Sequence, residues 1–558
     1  MIWQQFLVRG CSVALAPEAK AYSALLAAQP DEINLLCGLA STLLVQGKFA
    51  AARNHFQRAV DLVPDCVEAL AGQGECSLEL GDFEDARDCF ELARVHSPAS
   101  LPALRGCGRL LRLSGDFGGA AALFAEALVL AGPHADLFFE LGLTLSGASD
   151  MAGAKEAYEK SLAVEPSHLG ALVNLGLCFL TQSADPARAQ IIFERACHFH
   201  PEAVAAQANY GLALQEQGYF SQAIAHYDAL LKKHADVVEY RWNRALAYLC
   251  LGDYQRGWQD YELRHVRGGR DVRRQFGLPE WAGDAFHGRH LLVYAEQGVG
   301  DEIMFASCLP QLISGAASVT IECDERLAAF FARAFPRATI RGRTRGADLE
   351  WLRLLPSHDA QIAIGSLPRI LRKSADEFPL EAAYLIPDAA RVEKWRRRLA
   401  AAGDTLAVGL SWRGGTRKTR GASRSLELTD FLPLAMSGQR RFVCLQRGDC
   451  SAEIEMVRAA GMKIDYWPGV LDDLEEAAAL IAALDLVISV DNTIAHLAGA
   501  MGKACWTLLT HVPDWRYGMA GGTMPWYPSL RLFRQSGDRT WPPVVAAVAA
   551  TLSQLPMR

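Results

Sequence analysis

The stretch GDFEDARDCFELARVHSP, Gly81 to Pro98, places a small residue at Ala86, an aromatic at Phe90 and a proline at its close. Copies of it lie 34 residues on either side: GKFAAARNHFQRAVDLVP begins at Gly47 and GDFGGAAALFAEALVLAG at Gly115. The small position recurs at Ala52, Ala86 and Ala120, and the aromatic at Phe56, Phe90 and Phe124. The pattern continues at Ala154 and Tyr158, slips by one residue to Ala189 and Phe193, and regains its step at Ala223 and Tyr227. Pro64, Pro98, Pro166 and Pro201 close units. A fixed period over some six units predicts an array of helix pairs, in which each unit buries its apolar face against its neighbours. The small residue permits close helix approach, the aromatic fills the gap, and proline ends the second helix.

Period and pattern resemble tetratricopeptide (TPR) repeats. A degenerate unit around Tyr22 and Pro30 starts the array, and GDYQRGWQDYELR, Gly252 to Arg264, ends it with Gly257 and Tyr261 in phase. Residues 1–265 are therefore expected to form a TPR superhelix. Such a surface holds another protein or peptide; a structural spacer or an oligomerisation module is the other reading. Asn174, Asn209 and Asn243 follow one another at steps of 35 and 34 residues. An asparagine ladder grips an extended peptide backbone through bidentate amide bonds, and solvated polar positions would show the same spacing.

After a basic, turn-rich link over 266–285 the period changes. RHLLVYAEQGVGDEIMFASCLPQL reads as strand, glycine loop and helix, and SVTIECD and AQIAIGSL as further strands. YLIPDAARVEKWRRRLAAAG is a connector and helix. TLAVGLSW, RRFVCLQRG, MKIDYWP, LDLVISV and KACWTLL are a second series of strands, with DDLEEAAALIAAL and NTIAHLAGAMG as helices. Strands alternating with helices predict parallel sheets. The expected fold class is α + α/β: an α-solenoid, then Rossmann-like lobes over 286–390 and 391–558, the second with a C-terminal helix. A ligand cleft is expected where the carboxyl ends of both sheets face each other.

Composition narrows the classes. The chain has 558 residues, 51% of them apolar, and a net charge of -7, which speaks against a general nucleic-acid binder. No apolar run reaches the ~18 residues of a membrane span. The start, MIWQQFLVRGCSVALAPEAK, lacks the basic n-region and cleavage site of a signal peptide, so a cytoplasmic location is expected. The 14 cysteines show no C-x-x-C pair, so they read as buried reduced thiols, with neither zinc site nor disulfide framework.

Four segments, HLLVYAEQGVGDEIMFASCLPQL, VGLSWRGG with RSLELTDFLPL, LIAALDLVISVDNTIAHLAGAMGKACWTLL, and VPDWRYG with PWYPSLRLFRQ, resemble TPR-fused bacterial glycosyltransferases of the two-Rossmann-lobe (GT-B) type. The catalytic half is similar to the heptosyltransferases of lipopolysaccharide synthesis, and the domain plan is similar to the O-GlcNAc transferases. The resemblance implies that Gly298 and Gly300 open a turn for an approaching sugar, and that Asp301 is the general base taking the acceptor hydroxyl proton. The position of Asp301 also suits an ordinary helix N-cap. Asp491, Asn492 and Thr493 cap a helix whose N-terminus suits the phosphate of a nucleotide sugar. His496, one turn in, is expected to donate to that phosphate or to the leaving oxygen. The loop SWRGGTRKTRGASRS brings Arg413, Arg417, Lys418, Arg420 and Arg424 to meet charge on the departing nucleotide, with Arg413 and Lys418 preferred and Arg424 in reserve. Gln446, Trp515 and Arg516 are expected to line the nucleotide pocket, with core packing the favoured role for Trp515.

No apolar-flanked D-x-D motif occurs, and the resemblance implies transfer without metal or other cofactor. The expected activity is transfer of a sugar from a nucleotide donor, a CMP-linked nonulosonic acid or a UDP or ADP sugar, to Ser/Thr of a protein held by the repeats, with flagellin the closest acceptor in this architecture. The alternatives are a lipid or polysaccharide acceptor, and a non-catalytic scaffold whose transferase half has decayed.

Overall fold

Aspartate sets the start of the second helix in most repeats. Asp82, Asp116, Asp150 and Asp185 each accept from the backbone N–H three residues on, at 3.5, 2.9, 3.0 and 3.0 Å, satisfying donors that a helix start leaves open. The preceding helices end on left-handed glycines at Gly81 and Gly115. At the same position one unit on, Ser149 takes φ 69° without being glycine. The computed structural model describes residues 16–181, 185–267, 273–343, 358–378, 383–401, 403, 405–415, 421, 423–436 and 440–556. Among them, paired helices run from Ala16–Ala28 to Tyr254–Tyr261, and none is long and apolar enough to cross a membrane.

The aromatic position works through glycines that the repeat pattern alone does not single out. The fully buried Phe90 ring lies between Gly74 and Gly106: a Cβ on Gly74 would sit 2.8 Å from the ring, and one on Gly106 would collide with it outright. Phe124 lies in the same way against Gly108, Tyr158 against Gly142 and Phe193 against Gly176. Each ring is a knob in a notch from which a side chain has been removed.

The chain divides into two compact units, one up to Ala213 and one from Leu214 onward. The repeat pattern itself runs on to residue 264. The division falls earlier because Phe220, Trp242, Tyr254, Trp258 and Tyr261 share one core with the strands and helices that follow.

Within the second unit, the first sheet contains β1 (His290–Tyr294), β2 (Ser318–Asp324), β3 (Thr339–Arg343) and β4 (Ala360–Ala363) in the order β3-β2-β1-β4, all parallel. The second contains β5 (Ala407–Ser411), β6 (Arg441–Cys444), β7 (Ile464–Asp465), β8 (Leu486–Val490), β9 (Cys505–Leu509), β10 (Thr523–Met524) and β11 (Tyr527–Arg534). Its order is β10-β11-β9-β8-β5-β6-β7, parallel except for β10 against β11. Alternate residues of each strand enter different cores: Val408, Leu410, Ile488 and Val490 pack with the helix Pro542–Ser553, whereas Val487 and Val443 pack with Leu474–Ala483 and Thr493–Ala500. Both faces are thus covered, as a parallel sheet requires.

The strand order reverses between β1 and β4 in the first sheet and between β5 and β8 in the second. A crevice opens at the carboxyl ends of strands at such a switch. The two sheets are tied together by Tyr384 and Leu385, whose N–H groups donate to the Ala500 carbonyl at 2.9 and 3.0 Å, and by Arg333, whose Nη2 lies 2.7 Å from both Glu475 carboxylate oxygens.

Candidate functional site

At the switch of the second sheet, Asn492 fastens the two strand ends. Its amide donates to Ser411 Oγ at 2.8 Å and to the Arg413 carbonyl at 3.1 Å, while its Oδ1 accepts from Ser489 Oγ at 3.0 Å and from the Ile494 N–H at 2.9 Å. The side chain is therefore spent on capping the helix Thr493–Ala500 and on joining β5 to β8; Thr493, the first helical residue, is exposed. Gln446 has a parallel task, its Oε1 accepting from the N–H groups of Trp412 and Arg413 at 3.1 and 2.8 Å. It also lines a cavity of about 240 Å³ beyond β6 and β7, with Gly448, Tyr466, Trp467, Pro468 and Asp472.

The cations beside this crevice are paired. Arg413 bonds Glu453 at 2.8 Å, and Arg424 grips Asp491 with Nε at 2.9 and 2.8 Å from its two oxygens. Burial disfavours the Arg424 charge, but Asp491 and Asp514 outweigh it and raise its pKa. Among the described residues the buried Tyr517 hydroxyl has no hydrogen-bond partner. Arg417, Lys418 and Arg420 lie outside the described residues.

The first sheet contributes the facing wall. β1 runs through Glu296 and Gln297 into the helix Val299–Phe305, whose N-cap is Gly298. Asp301 is not the cap; it stands in the first turn, and its carboxylate accepts from Arg516 of the other lobe. Gly300 faces His496: a Cβ on Gly300 would lie 3.4 Å from His496 Cδ2 and 3.7 Å from Thr493 Oγ1. The glycine loop of the first sheet and the D-N-T-x-x-H segment of the second thus meet at one place.

Arg516 is the hinge of the charge pattern. Besides Asp301 it bonds Asp514 at 2.7 Å, and its guanidinium lies 4.3 Å from the centre of the Trp515 ring. Burial opposes ionisation of Asp514, but Arg516 and Arg424 outweigh it and hold the carboxyl at about 2. Trp515 itself is buried among aromatics, 5.4 Å from Trp258 and 5.6 Å from Tyr261. Of its two expected uses, the structure gives it packing. Tyr261, in the last repeat helix, exchanges hydrogen bonds with Gln297 at 3.2 and 3.0 Å.

His496 is buried, and burial, reinforced by the Arg516 charge, lowers its pKa to about 4. It is neutral at pH 7. Its Nδ1 lies 3.0 Å from the Tyr527 hydroxyl, and Tyr384 donates to the Ile303 carbonyl at 2.6 Å. A buried carboxyl stands next in sequence to Asp301. Glu302 accepts from the Asp324 N–H at 2.8 Å, its other oxygen has no hydrogen-bond partner among the described residues, and burial pushes its carboxyl up to about 7.

Of the three asparagines marked for a peptide groove, Asn209 is buried and Asn174 and Asn243 are half-buried. Asn174 donates to its own helix at the Gly170 carbonyl, 2.8 Å away, and Asn243 bonds the buried Tyr227 hydroxyl.

Comparison with known proteins gives the following. The tetratricopeptide repeat model matches residues 37–100, 78–136, 139–204 and 209–271. The model of glycosyltransferase family 9 (heptosyltransferase) matches residues 470–536, the span holding Asp491–His496, Asp514–Tyr517 and Tyr527. Protein FlbA of Caulobacter vibrioides is 32% identical over 393 residues, covering 67% of this chain; the chain spans 65% of the length of that curated relative. Among solved structures, a thermophilic TPR protein of Thermus thermophilus is similar at TM-score 0.31 and 20% identity, over 33% of this chain and 99% of the other. PilF of Pseudomonas aeruginosa is similar at TM-score 0.33 and 16% identity, over 38% and 95%. The chain joins tetratricopeptide repeats to a segment of the glycosyltransferase family 9 (heptosyltransferase) type, and fits the plan of a TPR-fused glycosyltransferase.

Proposed function

We propose that the chain is a metal-independent protein O-glycosyltransferase of the GT-B type, which moves a sugar from a nucleotide donor to Ser or Thr of a protein engaged by the repeats, flagellin being the acceptor to try first. The observation that carries this reading is the meeting of Gly298–Asp301 with Asn492–His496 and Arg516 between two parallel sheets, each at its own switch point. In this reading the donor phosphate lies on the N-terminus of Thr493–Ala500, where helix N–H groups favour an anion. Arg413 and Arg424 stand at the same strand ends, and the cavity lined by Gln446, Tyr466 and Trp467 takes the nucleoside.

Asp301 is the base. As the acceptor oxygen bonds the anomeric carbon, its proton passes to the Asp301 carboxylate; the bond from that carbon to the phosphate oxygen breaks, and the nucleotide leaves with the negative charge. Arg516 holds the carboxylate in place. The whole reaction is expected in the cytoplasm.

A thermal-shift series with CMP, UDP, GDP and ADP names the donor class, since a nucleotide at a hundred times its Kd adds about 2.7 kcal/mol of stability. Intact-mass spectrometry of co-expressed flagellin then tests the acceptor: the sugar mass should appear with the native chain and be absent with Asp301→Ala. Labelling of lipid or polysaccharide instead would move the reaction to that acceptor. Absence of both nucleotide stabilisation and donor hydrolysis would reject the enzyme in favour of a scaffold.

A further inference from the structure

The turn that carries Asp301 contains two glycines and is held at both ends. Residues 297–301 are half-exposed, Gly298 fully so, between the buried Glu296 and the buried Glu302. Glycine leaves a backbone free to take other conformations, so the shape of this turn has to be imposed by its contacts. At the far end Asp301 accepts from Arg516. At the near end the Tyr261 hydroxyl donates to Gln297 Oε1 at 3.2 Å and accepts from its Nε2 at 3.0 Å. Among the described residues the Gln297 side chain makes no other hydrogen bond.

Tyr261 closes the last repeat helix, Tyr254–Tyr261. Tyr254, Trp258 and Tyr261 follow one another at i, i+4 and i+7, which is one helical face, and their rings meet Phe378, Phe305 and Trp515 in turn. The helix is fixed from behind as well: Asp260 accepts from Arg244 at 2.9 and 2.7 Å, and a Cβ on Gly257 would lie 2.7 Å from Leu249. The Tyr261 ring stacks on Trp242 with centres 5.3 Å apart and meets Trp515 edge-on at 5.6 Å. Trp515 in turn lies 4.3 Å from the Arg516 guanidinium. One buried tyrosine thus touches the residue that opens the Asp301 turn and the residue that backs the cation facing it.

We propose that Tyr261 is a positioning residue for sugar transfer, holding the Asp301 turn through Gln297 and the Arg516 cation through Trp515, so that the last repeat helix forms a wall of the catalytic site. This role rests on the reading of the chain as a glycosyltransferase with Asp301 as its base. The acceptor proton passes to Asp301 only when the carboxylate stands within hydrogen-bond reach of the attacking oxygen, and a misplacement of about 1 Å costs up to about 100-fold in rate. A glycine turn released at Gln297 allows such a misplacement, whereas the helix Thr493–Ala500, where the phosphate is placed, does not depend on it.

The full-length chain is tested with the nucleotide sugar whose nucleotide gives the thermal shift among CMP, UDP, GDP and ADP, counting turnover by transfer or by hydrolysis. Tyr261→Phe keeps the ring and removes only the hydroxyl. It should lower kcat about tenfold and leave the Kd of the nucleotide within about twofold. Gln297→Ala should lower kcat to the same extent, and the two changes together should go no lower than either alone, because they break the same contact. In an Asp301→Asn chain, Tyr261→Phe should alter the residual kcat by less than about twofold, since the group it positions is gone. Losses that multiply in either double variant would mean separate injuries to packing and overturn the proposal. An equal fall in kcat and nucleotide affinity, or a native kcat in Tyr261→Phe, would do the same. A native chain that turns over none of the nucleotide sugars fails the glycosyltransferase reading and takes this role with it; native turnover that Tyr261→Phe leaves intact removes the role of Tyr261 alone.

Discussion

Asp301 and Arg516 stand 215 positions apart in the chain and share an ion pair. No sequence pattern announces such a pair, although each residue is marked out by its own motif. What the motifs convey is that a polar group is needed at a strand-to-helix turn; which group answers it across the cleft is decided by how the two sheets pack. The His496–Tyr527 contact was invisible for the same reason, its members lying on different elements. For Asp301→Asn, which keeps shape but not basicity, kcat should fall roughly 10²- to 10⁴-fold. The thermal shift given by nucleotide should persist, and activity within about threefold of native would dismiss Asp301 as the base. Glu302, one residue on, gives a prediction about pH. Its carboxyl holds a proton up to about 7 in the folded chain, against 4.5 ordinarily. Its contribution to stability is thus present below 4.5 and lost as the pH rises through 7. The difference amounts to roughly 3 kcal/mol at full expression. Relative to the native chain, Glu302→Gln should therefore gain in Tm between pH 4.5 and 8; a Tm difference independent of pH would refute a protonated Glu302. His496 pulls the other way: with its pKa lowered from 6.5 to about 4, its contribution is present above 6.5 and lost as the pH falls through 4. The comparison has to be made between variants for this reason, since the two trends overlap in the native chain.

At the scale of elements, the repeat helices were legible because a period of 34 is a property of the sequence alone. The alanine, aromatic and proline positions came with it, and so did the alternation of strands and helices after residue 285. The glycines that receive the rings were not legible in the same way. Gly74, Gly106, Gly108 and Gly142 matter through the neighbouring helix they face, and nothing in the local sequence names that partner. Gly106→Ala, which would drive a methyl into Phe90, should destabilise the repeat unit by about 1–3 kcal/mol. The same change at Gly81, where open space surrounds the Cβ, should cost only the strain of φ 83°. Ser149 offers the reverse experiment. It occupies at φ 69° a position held by glycine in the two preceding units, so Ser149→Gly should raise stability by about 0.5–1 kcal/mol in urea unfolding of the repeats. A loss of stability there would mean that the serine side chain outweighs the strain. The asparagine ladder stays open because spacing fixes only the step between residues: an interval of 34 or 35 fits an inward position as well as one on a groove.

For the whole molecule, the point at which the chain can be cut is decided by Arg264. Its guanidinium has no exposed surface and binds Glu296 through Nε at 3.1 and 3.0 Å and Nη2 at 2.8 Å, Glu262 at 2.8 Å and Ser366 Oγ at 2.6 Å. Glu296 follows β1 and Ser366 follows β4, so the residue that ends the repeat pattern is bound at the switch of the first sheet. Trp258, six residues earlier, is equally committed, packing edge-on against Phe305, Trp515 and Trp526 and donating to the Arg372 carbonyl at 2.8 Å. A fragment beginning at 266, where the sequence pattern suggests a boundary, would leave Glu296 as a buried charge without its partner and uncover that aromatic face. Removing one member of a buried pair costs about 3–5 kcal/mol, and exposed apolar surface of this kind promotes aggregation. Residues 214–558 keep both sets of contacts. The expected outcome is that 214–558 is soluble, unfolds cooperatively and retains the nucleotide thermal shift, whereas 266–558 is recovered as aggregate. Within the longer fragment Arg264→Met should lower Tm by several degrees, because Glu296 then loses its counter-charge while the volume is kept. Equal solubility and Tm for the two fragments would show that the last helix pairs are an appendage of the repeats, and would return the boundary to residue 265.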